Sequence, residues 1–245
     1  MASARYNQRF FDYVNAGAMR SAKRLLPILA DLEIKSVLDV GCGQGAWLSV
    51  WRDFGVSDIK GIDGDYVDVE RLKIPRQHFI VGDLSKSFDL GRHFDLVQCL
   101  EVAEHLPKQS ARPLVTSLTR HANLVLFSAA TKGQGGENHI NEQSYDYWRQ
   151  LFAENGFVAL DSVRPKILAD KSIEPWYRYN TFLYVHQEKI TEIPQSLGSG
   201  RVAPGETLQD LSPPAYRIRK AIIRLLPTSV VSAVSRFRIA LLLNR

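Results

Sequence analysis

Cysteine is nearly missing from this chain: its 245 residues hold two, Cys42 and Cys99. That excludes a disulfide framework, and neither residue has the partner spacing of a zinc site. Long apolar runs are missing too. The opening stretch, Met1 to Arg9, is polar and no run near the ~20 residues that span a bilayer follows it, so neither a secretory signal nor a spanning helix is expected and a cytoplasmic location is the default. No internal repeat is visible, which excludes solenoids and propellers. Acidic residues vanish from Leu211 onward, where Arg217, Arg219, Lys220, Arg224, Arg236, Arg238 and Arg245 stand alone. The net charge of +5 is therefore a property of the tail and leaves about −2 on the first 210 residues. The main body carries no basic signature of a nucleic-acid binder, and no nucleic-acid partner is expected.

What is present is 45% hydrophobic residues, enough for a sizeable core. Residues 1–35 read as a helical segment, with Val14, Ala18, Leu25 and Leu29 at helical spacing and a break at Pro27. Strands are expected at Ser36 to Val40, Asp58 to Ile62, His78 to Val81, Phe94 to Leu100, Leu124 to Ser128, Phe157 to Ser162 and Thr181 to His186. Helices fall between them, around Ala46 to Phe54, Tyr66 to Leu72, Ser110 to His121 and Ser144 to Asn155. This alternation predicts an α/β fold, a parallel sheet covered by helices on both faces. Arg164 to Asn180 reads as an irregular loop, so the last strand is expected to run antiparallel. The domain is expected over 36–188, with 189–214, rich in proline and glycine, as a linker.

The densest signal is Val37-Leu38-Asp39-Val40-Gly41-Cys42-Gly43-Gln44-Gly45-Ala46, a buried strand running into a helix through alternating glycines. Such a turn lets a ligand approach the backbone at a helix N-terminus. Its spacing also satisfies the dinucleotide fingerprint, so an NAD(P)-dependent oxidoreductase stands as the alternative. Asp39 argues against it, since a carboxylate repels a diphosphate but suits ammonium or sulfonium charge. Asp63, after the second strand, can accept hydrogen bonds from ribose hydroxyls with either cofactor. Gly82-Asp83-Leu84, after the third, offers a carboxylate to an exocyclic amine and the Leu84 N–H to a ring nitrogen. Leu100-Glu101-Val102-Ala103-Glu104-His105 turns an apolar strand end directly into titratable groups.

Taken in order, these four motifs resemble the class I S-adenosylmethionine-dependent methyltransferases, in particular the small-molecule members related to quinone-biosynthesis enzymes, over roughly residues 36 to 187. The resemblance implies a three-layer Rossmann-like seven-stranded sheet with its last strand antiparallel, and S-adenosylmethionine bound at the carboxyl ends of the first four strands. Position by position it places Gly41, Gly43 and Gly45 at the methionine moiety, Asp39 near its ammonium, Asp63 at the ribose, Asp83 and Leu84 at the adenine, and Leu100 on the inner side. A non-catalytic adaptor that keeps the fold is the other alternative, opposed by the intact motifs.

Methyl transfer from a sulfonium rests largely on positioning, and a base is useful when the nucleophile is a hydroxyl. His139, in the polar loop Gly133 to Gln143 after the fifth strand, is read first as a substrate contact and second as that base. His105 is the other candidate base. Glu101, Asn141, Glu142 and Arg178 are the expected substrate contacts. Glu101, Glu104, His139 and Glu142 would suit a magnesium ion, but nothing in their spacing fixes a site and no metal is expected. The acceptor reading is a small, glycan-linked or lipid-linked molecule methylated at oxygen.

Residues 215–245 are expected to form a basic amphipathic tail. Ile218, Ala221, Ile222 and Leu225 share one helical face while Arg217, Lys220 and Arg224 gather on another, and Val230, Val234, Phe237 and Leu241 repeat the pattern after Pro227. Such helices fit an anionic membrane surface, with peripheral association as the outcome. The competing expectation is docking on the main domain.

Overall fold

The computed structural model describes residues 8–227 and 229–235. Residues 1–7 of the N-terminal segment, and the part of the tail with Arg236, Phe237, Arg238, Leu241 and Arg245, lie outside the described residues. Seven strands, β1 (Ser36–Val40), β2 (Asp58–Asp63), β3 (Phe79–Val81), β4 (Leu96–Leu100), β5 (Leu124–Ser128), β6 (Phe157–Leu160) and β7 (Phe182–His186), form one sheet. Its order is β3-β2-β1-β4-β5-β7-β6. β1 to β5 are parallel, and β7 inserts antiparallel between β5 and β6. The chain therefore leaves β1 toward one edge and returns to β4 on its other side, which opens a crevice at the carboxyl ends of these two neighbours.

Alternation along the strands divides the core into two layers. Val37 and Leu96 join Leu25, Leu29, Leu48 and Val50 on one face. Leu38 and Val97 join Leu114, Leu118, Trp148 and Phe152 on the other. The helices supplying these layers are α1 (Gln8–Leu25), α2 (Ala46–Asp53), α3 (Ala111–His121) and α4 (Tyr145–Ala153). Pro27 ends α1 as the spacing predicts, converting it into a 3-10 turn over Leu26–Leu32. Ser144 caps α4 by accepting a hydrogen bond from the Tyr147 N–H at 3.2 Å.

Four expectations change. The helix expected over Tyr66 to Leu72 is one 3-10 turn, Val69–Arg71, because Asp68 bonds the nearby Glu70 N–H and closes the turn locally. The irregular loop Arg164 to Asn180 holds two short helices, α5 (Arg164–Ile167) and α6 (Pro175–Asn180), each with proline in its first turn. The expected linker 189–214 is packed on the domain. It contains α7 (Gln195–Gly198) with Leu197 fully buried, and its backbone lies along β6 through Asp161 N–H to Gly200 O (2.8 Å) and Val202 N–H to Ala159 O (3.0 Å). Finally, α8 (Pro214–Ile223) sits on the main domain, and helical backbone resumes over 229–235.

Arg164, unremarkable in the sequence, is fully buried, pairs bidentately with Asp161 at 2.6 and 2.7 Å, and lies over Phe182 and Tyr145. It also donates to the carbonyls of Tyr179 and Gln209, tying α6 and the expected linker to the sheet. Arg164→Ala should lower unfolding free energy by about 3–5 kcal/mol, because Asp161 loses its partner inside the protein. Urea denaturation checks this, and a loss below about 1 kcal/mol would mean that solvent screens the pair.

Candidate functional site

The glycine turn is held from below by Asp63. Its Oδ2 accepts the Gly43 N–H at 2.6 Å, and its Oδ1 accepts the Gly64 N–H at 2.7 Å and the Tyr66 hydroxyl. The three glycines then separate by role. A Cβ on Gly41 would strike Val102 at 2.3 Å and one on Gly45 would meet Ile74 at 2.9 Å, so these two are required by packing. A Cβ on Gly43 meets nothing within 4 Å, although its φ of +53° still selects glycine. Gly43 is thus the position whose missing side chain leaves a cradle open.

Beside this cradle lie three buried polar atoms without a hydrogen-bond partner: Asp39 Oδ2, Gln44 Nε2 and Gln98 Nε2. Gln98 spends its carbonyl on the Trp51 indole at 2.8 Å, and Gln44 spends its own on Asn15 of α1 at 2.7 Å. Burial, with the charge of Asp63 behind it, lifts the Asp39 pKa to about 8. A buried carboxylate whose near neighbour is the Gln98 amide, with the Gln44 amide N–H unspent, suits a ligand that brings both ammonium and carboxylate, as a methionine moiety does. These residues fit the cofactor that the resemblance implies.

At the other end of the crevice the picture is mixed. Leu84 and Leu100 are buried core residues at the ends of their strands. Asp83 is exposed, and its carboxylate bonds Ser85 and pairs with Lys86 at 3.1 Å, which holds its pKa below the ordinary range. Its present job is to close the turn after β3.

The end of β4 carries the most concentrated chemistry. Glu101 adopts φ +56°, a left-handed conformation unusual for its type. This turns its carboxylate inward, where Asn180 donates to Oε1 at 3.1 Å and Gln134 to Oε2 at 2.8 Å. Glu104 is fully buried, and neither of its oxygens has a partner at full hydrogen-bond geometry, although the Glu104 and Ala130 backbone N–H groups and the Glu101 carboxyl lie close by. Burial raises both pKa values, and Glu101 pushes that of Glu104 further up. Ligand atoms of Glu104, His105 and His139 all lie within 4.8 Å of one another. The two imidazoles meet edge to face with centroids 4.8 Å apart. The fold thus gathers three metal-ligating side chains where spacing fixed none, with His105 standing where the magnesium reading has Glu101 and Glu142.

Glu142 serves the loop instead. It accepts the N–H groups of Gly133 and Gly135 and the Nδ1–H of His139, at 2.7, 2.7 and 2.9 Å. Asn141 is buried and donates to the Ala103 carbonyl at 3.2 Å. The backbone N–H groups of Ile140 and Asn141 both reach the Glu104 carbonyl. Asn141 therefore fastens the loop to the β4 end and Glu142 fastens the loop to itself, contacts that occupy the groups expected to meet a substrate. Arg178 points to the Leu168 carbonyl at 3.4 Å and stacks on Tyr179. The segment Trp176 to Asn180 reads in the sequence as lining the mouth of the site with Arg178 as its contact; in the structure it is Asn180 that reaches Glu101. His105 lies at the surface as a residue, while desolvation of its ring and the facing His139 lower its pKa to about 4.

Asp39 gives a pH test. Its folded pKa of about 8 stands above the ordinary 3.8, so the folded protein keeps a proton that the unfolded chain releases, and stability falls as pH rises between those values. Asp39→Asn should match the parent below pH ~4 and melt higher at pH ~8, by about 2–4 °C for each kcal/mol regained. Thermal melts at both pH values check this; an unchanged gap would clear Asp39 of the effect.

A family profile described as a methyltransferase domain matches residues 8–164. The ubiquinone biosynthesis O-methyltransferase of Neisseria meningitidis serogroup C is 31% identical over 120 residues, covering 45% of this chain and 50% of that protein. Its counterpart from Thiobacillus denitrificans is 31% identical over 114 residues, with 42% and 47% covered. The match spans about half the length of these curated relatives. Among solved structures, the magnesium protoporphyrin IX methyltransferase of Synechocystis PCC 6803 with bound S-adenosylmethionine superposes with a TM-score of 0.51 at 20% identity, over 76% of this chain and 87% of that one. Streptomyces venezuelae DesVI superposes with 0.52 at 16% identity, over 71% and 96%. Identities of this size speak for the fold, and the profile match, over more than half the chain, speaks for the family. The chain belongs to the methyltransferase-domain family, within the class I S-adenosylmethionine-dependent superfamily.

Proposed function

We propose that the chain transfers a methyl group from S-adenosylmethionine to a hydroxyl of a small, glycan-linked or lipid-linked acceptor, with a divalent cation held by Glu104, His105 and His139. The observation that carries this reading is the buried carboxylate of Glu104 set against two imidazoles at the end of β4. His139 gives its Nδ1–H to Glu142 and His105 bonds the Asn138 backbone, which leaves each ring one nitrogen for a ligand. The curated relatives are O-methyltransferases by name, which supports oxygen as the acceptor atom. With the family shown, the dinucleotide reading of the turn is set aside.

When bound, the cofactor supplies a methyl group on a sulfonium, an electrophile that carries its own leaving group. Asp39 would hold the ammonium end and Gly43 would leave room for it. Asp63 offers its carboxylate to ribose hydroxyls while holding the turn. Leu100 and Leu84 give apolar contact. At the acceptor side Glu104, His105 and His139 would hold the cation, which would supply Lewis acidity toward the acceptor hydroxyl.

Asp63→Ala should weaken S-adenosylhomocysteine binding by about 1.5–3 kcal/mol, through the lost charge-assisted bond and the loosened turn. Titration calorimetry measures it, and an unchanged constant would remove Asp63 from the site. Equilibrium dialysis should find about one Mn²⁺ per chain, bound about 10–100-fold more weakly by Glu142→Gln and not at all by His139→Ala. Cofactor affinity should hold in both. Failure to bind Mn²⁺, Mg²⁺ or Zn²⁺ would leave His139 to act as the base.

A further inference from the structure

Helix α8 is mounted with Lys220 and Arg219 turned to the domain and an apolar stripe turned away from it. Lys220 is 3% exposed and pairs with Asp210. Arg219 donates to the Gln134 carbonyl and Arg224 to the Lys132 carbonyl, both at 2.9 Å. The glycine loop receives the helix closely: a Cβ on Gly133 would lie 2.2 Å from the Lys220 carbonyl oxygen, and one on Gly135 would meet Val231 and Ile223. Facing away are Ile218 at 63% exposure, Ile222 at 57% and Leu225 at 84%, continued by Leu226, Val230 and Val234. Arg217 and Arg224 are exposed along the border of this stripe. A helix that merely docks on a soluble domain buries its apolar face; this one offers it.

We propose that α8 and the helical segment 229–235 dock the protein on an anionic bilayer surface, which seats the loop carrying His139 about one helix diameter, ~10 Å, from the lipid. The charge pattern selects this occupant. Residues 211–245 contain seven basic residues and no acidic one, so a second copy laid on the same face would set arginine against arginine, whereas lipid phosphates oppose them. Branched aliphatic chains enter the headgroup boundary shallowly while the bordering arginines reach phosphate. Among the described residues no helix is long and apolar enough to cross a membrane, so the contact is with the surface. The inference is independent of the acceptor's chemistry.

Deleting the helix would also strip the loop of its contacts to Arg219 and Arg224, so the test alters outward side chains only. The full chain and its Ile218→Ser/Ile222→Ser/Leu225→Ser variant are sedimented with vesicles of phosphatidylglycerol and phosphatidylcholine, and with vesicles of phosphatidylcholine alone. The parent should partition to the phosphatidylglycerol vesicles, at least about tenfold more strongly than the variant and more weakly at high salt, with equal S-adenosylhomocysteine affinity by calorimetry. No partitioning by the parent, or equal partitioning by the variant, overturns the proposal. So does a dimer in light scattering that the variant breaks, since a second copy would then own the face. Loss of S-adenosylhomocysteine binding in the parent would instead strike the methyltransferase reading, whatever the vesicles do.

Discussion

Four carboxylates crowd the carboxyl edge of the sheet, and the rest of the site answers to them. Among the described residues, none of Asp39, Asp63, Glu101 and Glu104 pairs with a lysine or arginine. Negative charge kept out of water without a counter-ion is costly, and the protein meets the cost in three ways. Asp63 is satisfied by two backbone N–H groups and a phenol. Glu101 takes two side-chain amides. In Asp39 and Glu104 burial raises the pKa and works against the ionised form. Those two positions are where a cationic ligand gains most, because its charge offsets the cost of burying the carboxylate.

The two halves of the crevice are built by different means. The cofactor side is made by strand ends and the turn between β1 and α2, so its geometry is inherited from the sheet. The side proposed for the acceptor is a loop that has no strand of its own. It is fastened to β4 by Asn141 and by the Glu104 carbonyl, internally by Glu142, and from outside by α8. A site with one half on rigid elements and the other on an anchored loop can keep its reagent chemistry while the acceptor changes.

Much of the fold could be read in advance because strands buried on both faces write themselves as apolar runs: Ser36–Val40 and Leu124–Ser128 have the bounds expected of them. The order of motifs likewise pointed to the cofactor. What stayed hidden depended on contacts distant in sequence. Gly41, Gly43 and Gly45 look equivalent in the chain, yet two are dictated by Val102 and Ile74 and one by open space. Asn141 and Glu142 look like solvent-facing polar residues and become internal fasteners. The periodicity of α8 showed two faces but could not say which turns inward, since that is decided by Asp210 and by carbonyls in a loop some 90 residues earlier.

The strip at 200–202 also bears on how the sheet ends. One margin of the sheet is β3, three residues long and too short to recruit another strand. The other is β6, whose outer backbone groups are occupied by Gly200 and Val202. A protein trimmed at residue 188 would leave that margin bare, with unpaired amides and carbonyls ready for another molecule's strand. The proline- and glycine-rich stretch thus serves as a selvedge, and the smallest piece that stays monodisperse extends beyond the last strand.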